Sequence, residues 1–113
     1  MHELSIAQGI VDACVEHSGG CRVIRVTVEI GALSCVMHDA LRFSYEIAAA
    51  GTPLEGAALE IIGVPARSRC RDCGSAFEMS DILSHCECGS VNFDPPVGGD
   101  ELQIKSMEIL EAA

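Results

Sequence analysis

Two closely spaced cysteine pairs constrain this chain more than any other feature of its sequence. The first pair is Cys70 and Cys73, and the second, which follows after twelve further residues, is Cys86 and Cys88. Each pair can present two thiolates from one turn, and a spacer of hairpin length brings the second turn back to the first. This is the arrangement that a tetrahedral Zn²⁺ site requires. A glycine after each pair suits the positive-φ turn in which backbone N–H groups approach sulfur.

The fourth zinc ligand has two candidates. The second pair has one intervening residue instead of the usual two, and His85 lies three residues before Cys88. The ligands are therefore four thiolates including Cys86, which we favour because sulfur is the softer donor, or three thiolates with His85. Neither set leaves a coordination position for a reactive water, so we expect a structural site. Three further cysteines have no partner at ligand spacing and are interpreted as buried or idle thiols: Cys14, Cys21 and Cys35.

Charge and hydropathy exclude several classes of function. The chain of 113 residues carries 17 acidic and 7 basic side chains, a formal charge of −10, so its average field repels a phosphate backbone. It has no apolar run near the ~20 residues of a membrane span and no signal segment at its start. The seven cysteines are interpreted as metal ligands and free thiols, which is typical of a protein in a reducing compartment. We therefore expect a cytoplasmic protein without nucleic-acid or membrane partners.

Hydrophobic periodicity predicts two helices. Apolar residues recur at three- and four-residue spacing over residues 2–17, and Ser18-Gly19-Gly20 ends the pattern. They are Ile6, Ile10 and Ala13, with Ala7, Val11 and Cys14 beside them. A second helical pattern contains Leu41, Tyr45 and Ala48.

Alternation predicts three strands. Residues 24–30 alternate, which predicts a strand with one buried face made of Ile24, Val26, Val28 and Ile30. Two later segments, residues 58–64 and 102–110, have the β-branched or alternating character of further strands.

The order of these elements predicts an α+β fold with two helices on one face of a three-stranded sheet. The cysteine segment lies between the last two strands. We therefore expect an α+β domain formed by residues 1–67 and 97–113, with an inserted zinc-ribbon module at residues 68–96.

The N-terminus offers a second metal site. Histidine at position 2 is too bulky for the usual removal of the initiator methionine, so the free α-amine is expected on Met1. That amine, the His2 amide and the His2 imidazole can chelate one cation in a plane, which suits Ni²⁺ or Cu²⁺ better than Zn²⁺. Glu3 adjoins and can supply a further amide. The competing interpretation is a solvated helix start at which Glu3 complements the dipole.

Four segments resemble the HypA/HybF family of hydrogenase nickel-incorporation proteins, and they occur in the same order over the whole chain. They are MHELS at residues 1–5, EIGALS at residues 29–34, the cysteine module with its Cys-Gly-Ser ending at residues 70–90, and LQIKSMEI at residues 102–109. The resemblance implies a nickel metallochaperone with an N-terminal Met-His-Glu nickel site and a distant zinc ribbon. His2 carries over directly. Cys70, Cys73 and Cys88 carry over as zinc ligands, and the missing residue before Cys88 leaves the fourth open.

The resemblance also implies partners. These are a nickel-handling GTPase of the same maturation pathway and the hydrogenase large-subunit precursor, and some members of the family also serve urease. We expect transient Ni²⁺ and structural Zn²⁺, a monomer or weak homodimer, and no catalytic residue, since the chain lacks an open metal site and a Ser/His/Asp grouping. The alternative function is a zinc-ribbon adaptor that mediates protein–protein interaction without nickel transfer.

The loop that opens the second helix offers candidates for a fourth nickel donor. The candidates are His38 and Asp39, because the strand between the helices can return the chain so that both helices begin at the same end. The alternative is that Asp39 caps the second helix.

Overall fold

The computed structural model describes residues 2–111, in which there are two helices and five strands. Helix α1 spans Glu3–Ser18 and helix α2 spans His38–Ala49. The longer strands are β1 at Val23–Gly31, β2 at Ala58–Val64 and β5 at Leu102–Ile109. Two short strands, β3 at Ala66–Arg69 and β4 at Ala76–Met79, flank the first cysteine pair. The predicted α+β class is confirmed.

Strand β1 is the centre of a three-stranded sheet in the order β2-β1-β5. Strands β1 and β2 run parallel, because the Val23 amide donates to the carbonyl of Pro53 at the start of the pair and the Ala32 amide donates to Val64 at its end. Strand β5 runs antiparallel to β1, since Gly31 donates to the residue before β5 and the residue after β5 donates to the one before β1. A parallel pair needs a crossover, and α2 provides it.

The described residues form two compact units. The first comprises those of Met1–Val28, Val36–Ile61 and Ile104–Ala113, and the second comprises Glu29–Cys35 and Ile62–Gln103.

The core of the first unit is built from the apolar faces of both helices. Helix α1 buries Ala7, Ile10, Val11 and Cys14, as its periodicity predicts, and the left-handed conformation of Gly19 ends it. Helix α2 packs against α1 and buries Leu41, Tyr45 and Ala49. Leu54, which follows the helix, is buried as well. The Tyr45 hydroxyl has no hydrogen-bond partner among the described residues, and burial beside Cys14 raises the pKa of Tyr45 to about 12.

The burial of β1 corrects one prediction. Val26, Val28 and Ile30 are buried as expected, whereas Ile24 is 42% exposed near the start of the strand. Thr27, on the opposite face, is only 8% exposed, because β1 is the central strand and the side chain of Glu60 on β2 reaches over it. The alternation of residues within one strand does not predict burial by a side chain of the neighbouring strand.

The second unit contains an antiparallel pair of strands, β3 and β4, and a small core. Its buried side chains are few: Ile30, Ala66, Ser68, Cys70, Met79 and Cys86. The rings of Phe77 and Phe93 pack edge to face with centroids 5.6 Å apart. So small a core needs a covalent or metal cross-link to be stable.

Close backbone contact at Gly31 fixes part of the second unit. The amide of Leu33 donates to the Gly99 carbonyl at 2.6 Å, and a Cβ built on Gly31 would lie 2.1 Å from that same oxygen. Only a residue without a side chain fits there.

We predict opposite effects for alanine at two glycines. Gly31→Ala is expected to lower the free energy of unfolding by at least about 2 kcal/mol, because the backbone of Gly99 must move. Gly9→Ala, at a position in α1 with no atom within 4 Å of the new Cβ, is expected to raise it by about 0.5–1 kcal/mol. Urea denaturation of the zinc-loaded protein measures both, and a neutral Gly31→Ala would contradict the predicted contact.

Candidate metal sites

The first cysteine pair lies in a tight turn between β3 and β4. The Gly74 amide donates to the Cys70 carbonyl at 2.9 Å, and the Cys70 amide donates to the Ser75 carbonyl at 2.9 Å. Gly74 has a φ of +78°, a conformation that glycine adopts without strain. This turn leaves the backbone N–H groups that follow Cys70 directed at sulfur.

The second pair repeats the same turn. The Gly89 amide donates to the Cys86 carbonyl at 2.8 Å, the Cys86 amide donates to the Ser90 carbonyl at 3.2 Å, and Gly89 has a φ of +88°. The two turns therefore have equivalent hydrogen bonds although the second cysteine pair is one residue shorter. The positive φ expected for the glycine after each pair is confirmed.

The four sulfur atoms of these turns lie within 4.8 Å of one another. The Sγ atoms of Cys70 and Cys88 are 3.7 Å apart, and those of Cys73 and Cys86 are 3.4 Å apart. Four sulfurs at the usual Zn–S length around a tetrahedral ion would be about 3.8 Å apart. The cluster fits a structural zinc site.

The electrostatics of the four thiols are those of a cluster that needs a cation. Hydrogen bonds from the backbone N–H and hydroxyl of Ser75 lower the pKa of Cys73 to about 6, and the N–H of Cys73 lowers the pKa of Cys70. The N–H of Cys88 acts in the same direction on Cys86, but the Cys73 thiol and burial outweigh it and raise the pKa of Cys86 to about 12.

Cys88 follows the same pattern, since the adjacent thiol of Cys70 and burial raise its pKa against the effect of the Ser90 N–H. Two of the four thiols thus ionise readily, whereas the other two resist ionisation because each is hydrogen-bonded to a neighbouring sulfur and desolvated. A divalent cation is the natural compensation for four thiolates.

His85 is not part of the sulfur cluster. Its Nδ1 lies 2.9 Å from the carbonyl oxygen of Cys86, so the imidazole is hydrogen-bonded to the backbone. The fourth member of the cluster is the sulfur of Cys86. The structure therefore brings together the four-thiolate set and leaves His85 beside it.

Side-chain hydrogen bonds that the sequence did not predict hold the two turns together. The Ser90 hydroxyl donates to the Asp72 carboxylate, the Asn92 side chain donates to the same group at 3.3 Å, and both bonds lower the pKa of Asp72. Arg71 forms an ion pair with Asp94 at 2.8 Å. These bonds join the first turn to the residues after the second. In the sequence, the polar residues within the first cysteine pair and after the second pair were the features that could have indicated these bonds.

The other three cysteines occupy different environments. Cys14 is buried, Cys21 is half-buried and Cys35 is exposed with a φ of +62°. Burial raises the pKa of the Cys14 thiol, so this cysteine is an unreactive residue of the core.

The start of α1 meets the start of α2. His2 is the N-cap residue of α1 and is exposed, and the carboxylate of Glu3 accepts a hydrogen bond from the amide of Met37 at 3.4 Å. Met37 is the N-cap residue of α2. The expectation that both helices can begin at the same end is thus met in the first unit. Met1, which the sequence offers as a nickel ligand, lies outside the described residues.

Asp39 does not cap α2, and that alternative was wrong. The N-cap residue is Met37, whose side chain makes no capping bond, and Asp39 lies exposed in the first turn. A carboxylate there interacts with the helix dipole instead. His38 and Asp39 lie next to the residue that Glu3 contacts. Across residues 2–111, however, only the four cysteines form a group of three or more His, Cys, Asp or Glu donors within 4.8 Å.

Comparison with known proteins identifies this combination. A family model described as "Hydrogenase/urease nickel incorporation, metallochaperone, hypA" matches residues 1–109. The chain belongs to the HypA family. Members of this family are hydrogenase nickel-incorporation metallochaperones, and the resemblance stated from the sequence is confirmed.

Named relatives of the HypA family agree with this over nearly the full length. The hydrogenase maturation factor HypA of Nostoc punctiforme is 48% identical over 111 residues, which cover 98% of this chain and 97% of that protein. The hydrogenase maturation factor HypA of Geotalea daltonii is 46% identical and is covered completely. The solution structure of the Ni metallochaperone HypA from Helicobacter pylori is 26% identical, with a TM-score of 0.66 over 99% of this chain and 100% of that one.

One further finding concerns the helices of this HypA-family chain. Neither helix in the described part of the chain is long and apolar enough to cross a membrane.

We predict that zinc in this HypA-family protein depends on Cys86 and not on His85. The purified protein should contain close to one zinc, Cys86→Ala should weaken zinc binding strongly, and His85→Ala should leave it near the wild-type level, because only the sulfur belongs to the cluster. Metal analysis after dialysis against a chelator measures all three. Loss of zinc from His85→Ala with retention in Cys86→Ala would establish a Cys₃His site instead. The Cys70→Ser, Cys73→Ser double variant should contain no zinc.

Zinc affinity should fall with decreasing pH. The cysteines with raised pKa, Cys86 and Cys88, carry protons at neutral pH that zinc must displace, so affinity should fall roughly hundredfold for each unit of decrease in pH. The decrease should steepen below about pH 6, where Cys73 takes up a proton as well. Competition with a chelator between pH 5.5 and 7.5 measures this dependence, and an affinity independent of pH would contradict a thiolate site.

Proposed function

We propose that this protein binds Ni²⁺ at its N-terminus and delivers it for assembly of the [NiFe]-hydrogenase active site. The observation that carries the proposal is the match of residues 1–109 to a family of nickel-incorporation metallochaperones. The proposed ligands are the α-amine of Met1 and the backbone amide and imidazole of His2, and the fourth donor is either the Glu3 amide or a side chain from elsewhere. A planar set of amine, amides and imidazole is one that Ni²⁺ accepts and Zn²⁺ does not favour.

The start of a helix suits this chemistry. The first N–H groups of a helix have no intrahelical acceptor, so the amides of His2 and Glu3 are not needed to hold α1 together. They can lose a proton to a metal without breaking a helical hydrogen bond. The first hydrogen bond of α1 uses the His2 carbonyl, which accepts from the Ile6 amide at 3.2 Å. The exposure of His2 leaves its imidazole free to turn toward the same ion.

Where the fourth donor is a side chain and not the Glu3 amide, we propose that it is His38 or Asp39. The contact between the Glu3 carboxylate and the Met37 amide supports this, since the two candidates follow Met37 directly. Both side chains are exposed at the start of α2. A small rearrangement of exposed side chains is needed to complete the site, which agrees with transient binding. A carrier must release its cargo.

We propose that the four cysteines hold Zn²⁺ for a structural purpose. With four protein ligands the ion has no open position for a substrate or water. Accordingly residues 1–67 and 97–113 carry the nickel function, and residues 68–96 form the zinc-ribbon module. The protein then acts by binding and docking, and not by catalysis. The alternative of a zinc-ribbon adaptor without nickel transfer is not favoured, because the family is described by nickel incorporation.

The proposed partners are those that deliver and receive the metal. They are a nickel-handling GTPase of the maturation pathway and the hydrogenase large-subunit precursor, with urease maturation as a second destination that the family description includes. The acidic surface argues against nucleic acid. We place this activity in the cytoplasm, where reducing conditions keep zinc-binding thiols available, and we propose a monomer or weak homodimer.

We predict that His2→Ala abolishes specific Ni²⁺ binding and leaves zinc in place, because the two proposed sites share no atom. His17→Ala is the matched control, since His17 is an exposed histidine of the same helix whose Nδ1 bonds to the Ala13 carbonyl. Isothermal titration with Ni²⁺ and metal analysis measure the two quantities. Normal nickel binding by His2→Ala would remove the central proposal. Extension of the chain before Met1 should also weaken nickel, because an amide is a much poorer donor than an amine.

The fourth donor is tested by a separate pair of variants. If His38 or Asp39 is a ligand, its alanine variant should weaken nickel binding several-fold, and the thermal unfolding temperature should change little because neither side chain is buried or caps α2. Nickel titration and thermal denaturation of His38→Ala and Asp39→Ala give both values. Unchanged nickel affinity in both variants would confine the site to the first three residues.

A further inference from the structure

An open groove of about 430 Å³ lies in the first unit between α1 and the turn that follows α2. Val11, Val15 and Pro53 provide its apolar surface, and the exposed carboxyl side chains of Asp12 and Glu16 stand along it on α1. None of these residues belongs to the proposed nickel or zinc sites. The groove therefore needs an explanation that metal binding does not give.

Neither carboxylate of the groove forms an ion pair with a basic side chain of residues 2–111. Asp12 and Glu16 are four residues apart on one face of α1, where like charges repel. Asp12 accepts a hydrogen bond from the neutral amide of Gln8 at 2.8 Å, which holds its position without supplying charge. Among the described residues the ion pairs between basic and acidic side chains lie elsewhere: Arg25 with Glu60, Arg67 with Glu78, and Arg71 with Asp94.

The other arginines of the first unit are also engaged away from the groove. Arg22 donates to the carbonyl of Glu55, and Arg42 donates to the carbonyl of Leu59 at 2.6 Å. The cation that Asp12 and Glu16 lack has no source among these arginines.

The wall of the groove opposite α1 is held in place by its own hydrogen bonds. The Thr52 hydroxyl donates to the Ala49 carbonyl at 2.7 Å and accepts from the Leu54 amide at 3.1 Å, and Leu54 is completely buried. Gly51 has a φ of +76°, which turns the chain at this point. A preformed wall lowers the entropic cost of binding an occupant.

We propose that this groove docks a basic segment of a partner protein. An arginine side chain fits both halves of the groove, because its aliphatic stem can cover Val15 and Pro53 while its guanidinium reaches the carboxylates of Asp12 and Glu16. Charge complementarity selects this occupant over an acidic or purely apolar segment, since an apolar segment would leave two like charges uncompensated beside it. The inference goes beyond the proposed nickel function and does not depend on it.

The experiment uses the zinc-loaded, full-length protein and a fluorescein-labelled nonapeptide of alternating leucine and arginine. Fluorescence anisotropy should detect binding that the Asp12→Asn, Glu16→Gln double variant weakens about fivefold, as expected for two exposed ion pairs. The control is Glu108→Gln, Glu111→Gln, which removes the same charge from two exposed residues outside the groove and should change binding less than twofold. Thermal denaturation of both double variants verifies that each is folded.

A second peptide separates charge from shape. Citrulline in place of every arginine keeps the stem and removes the cation, so it should bind at least as weakly as the arginine peptide binds the Asp12→Asn, Glu16→Gln variant. Equal weakening by the two double variants would show attraction to net charge alone and overturn the groove. Equal binding of the citrulline peptide would overturn the role of the cation. A homodimer that only the groove variant dissociates, measured by sedimentation, would assign the groove to a second copy of this chain and overturn the proposal.

Discussion

Repulsion among four neighbouring sulfurs, once all of them are thiolates, is the constraint on which the second unit depends. The turns at both cysteine pairs bring the four sulfurs within 4.8 Å of one another, where two ionise readily and the pKa values of the other two are raised. Little apolar surface is available to hold this arrangement, since the buried set is small and includes two of the cysteines themselves. A divalent cation reverses the repulsion and cross-links both turns. Zinc is therefore part of the folding energy of this unit.

The first unit depends on a different constraint, the direction of the chain through its parallel strands. Since β1 and β2 are parallel, the chain must return along α2. Within the unit α1 and α2 pack together with their starts adjacent, as the bond between the Glu3 carboxylate and the Met37 amide shows. His2 and Glu3, two of the residues proposed to bind nickel, thus lie where unpaired helix amides, an imidazole and carboxylates come close.

Local patterns predicted the parts of this molecule that depend on local chemistry. The periodicity of α1 predicted the burial of Ala7, Ile10 and Val11, although Ile6 and Ala13 of the same pattern are only half-buried. The cysteine spacing predicted the two turns with their glycines. Contacts between distant segments were beyond such patterns. The exposure of Ile24 and the burial of Thr27 under Glu60 depend on what a neighbouring element covers. The absence of capping by Asp39 depends on the exact residue at which α2 begins. Donor softness favoured Cys86 over His85 from the sequence, and the geometry of the second turn places the Cys86 sulfur in the cluster.

Two metals with different donor chemistry in one small chain form the central claim, and one measurement tests it most directly. Ni²⁺ should be titrated into the zinc-loaded protein with its native, untagged N-terminus, while calorimetry records binding in buffers of different ionisation enthalpy and a chromogenic chelator records free zinc. The account predicts one Ni²⁺ bound per chain with release of protons from the amine and amides, and with zinc retained in full. Nickel that binds only as zinc is released, or without net loss of protons, would contradict it.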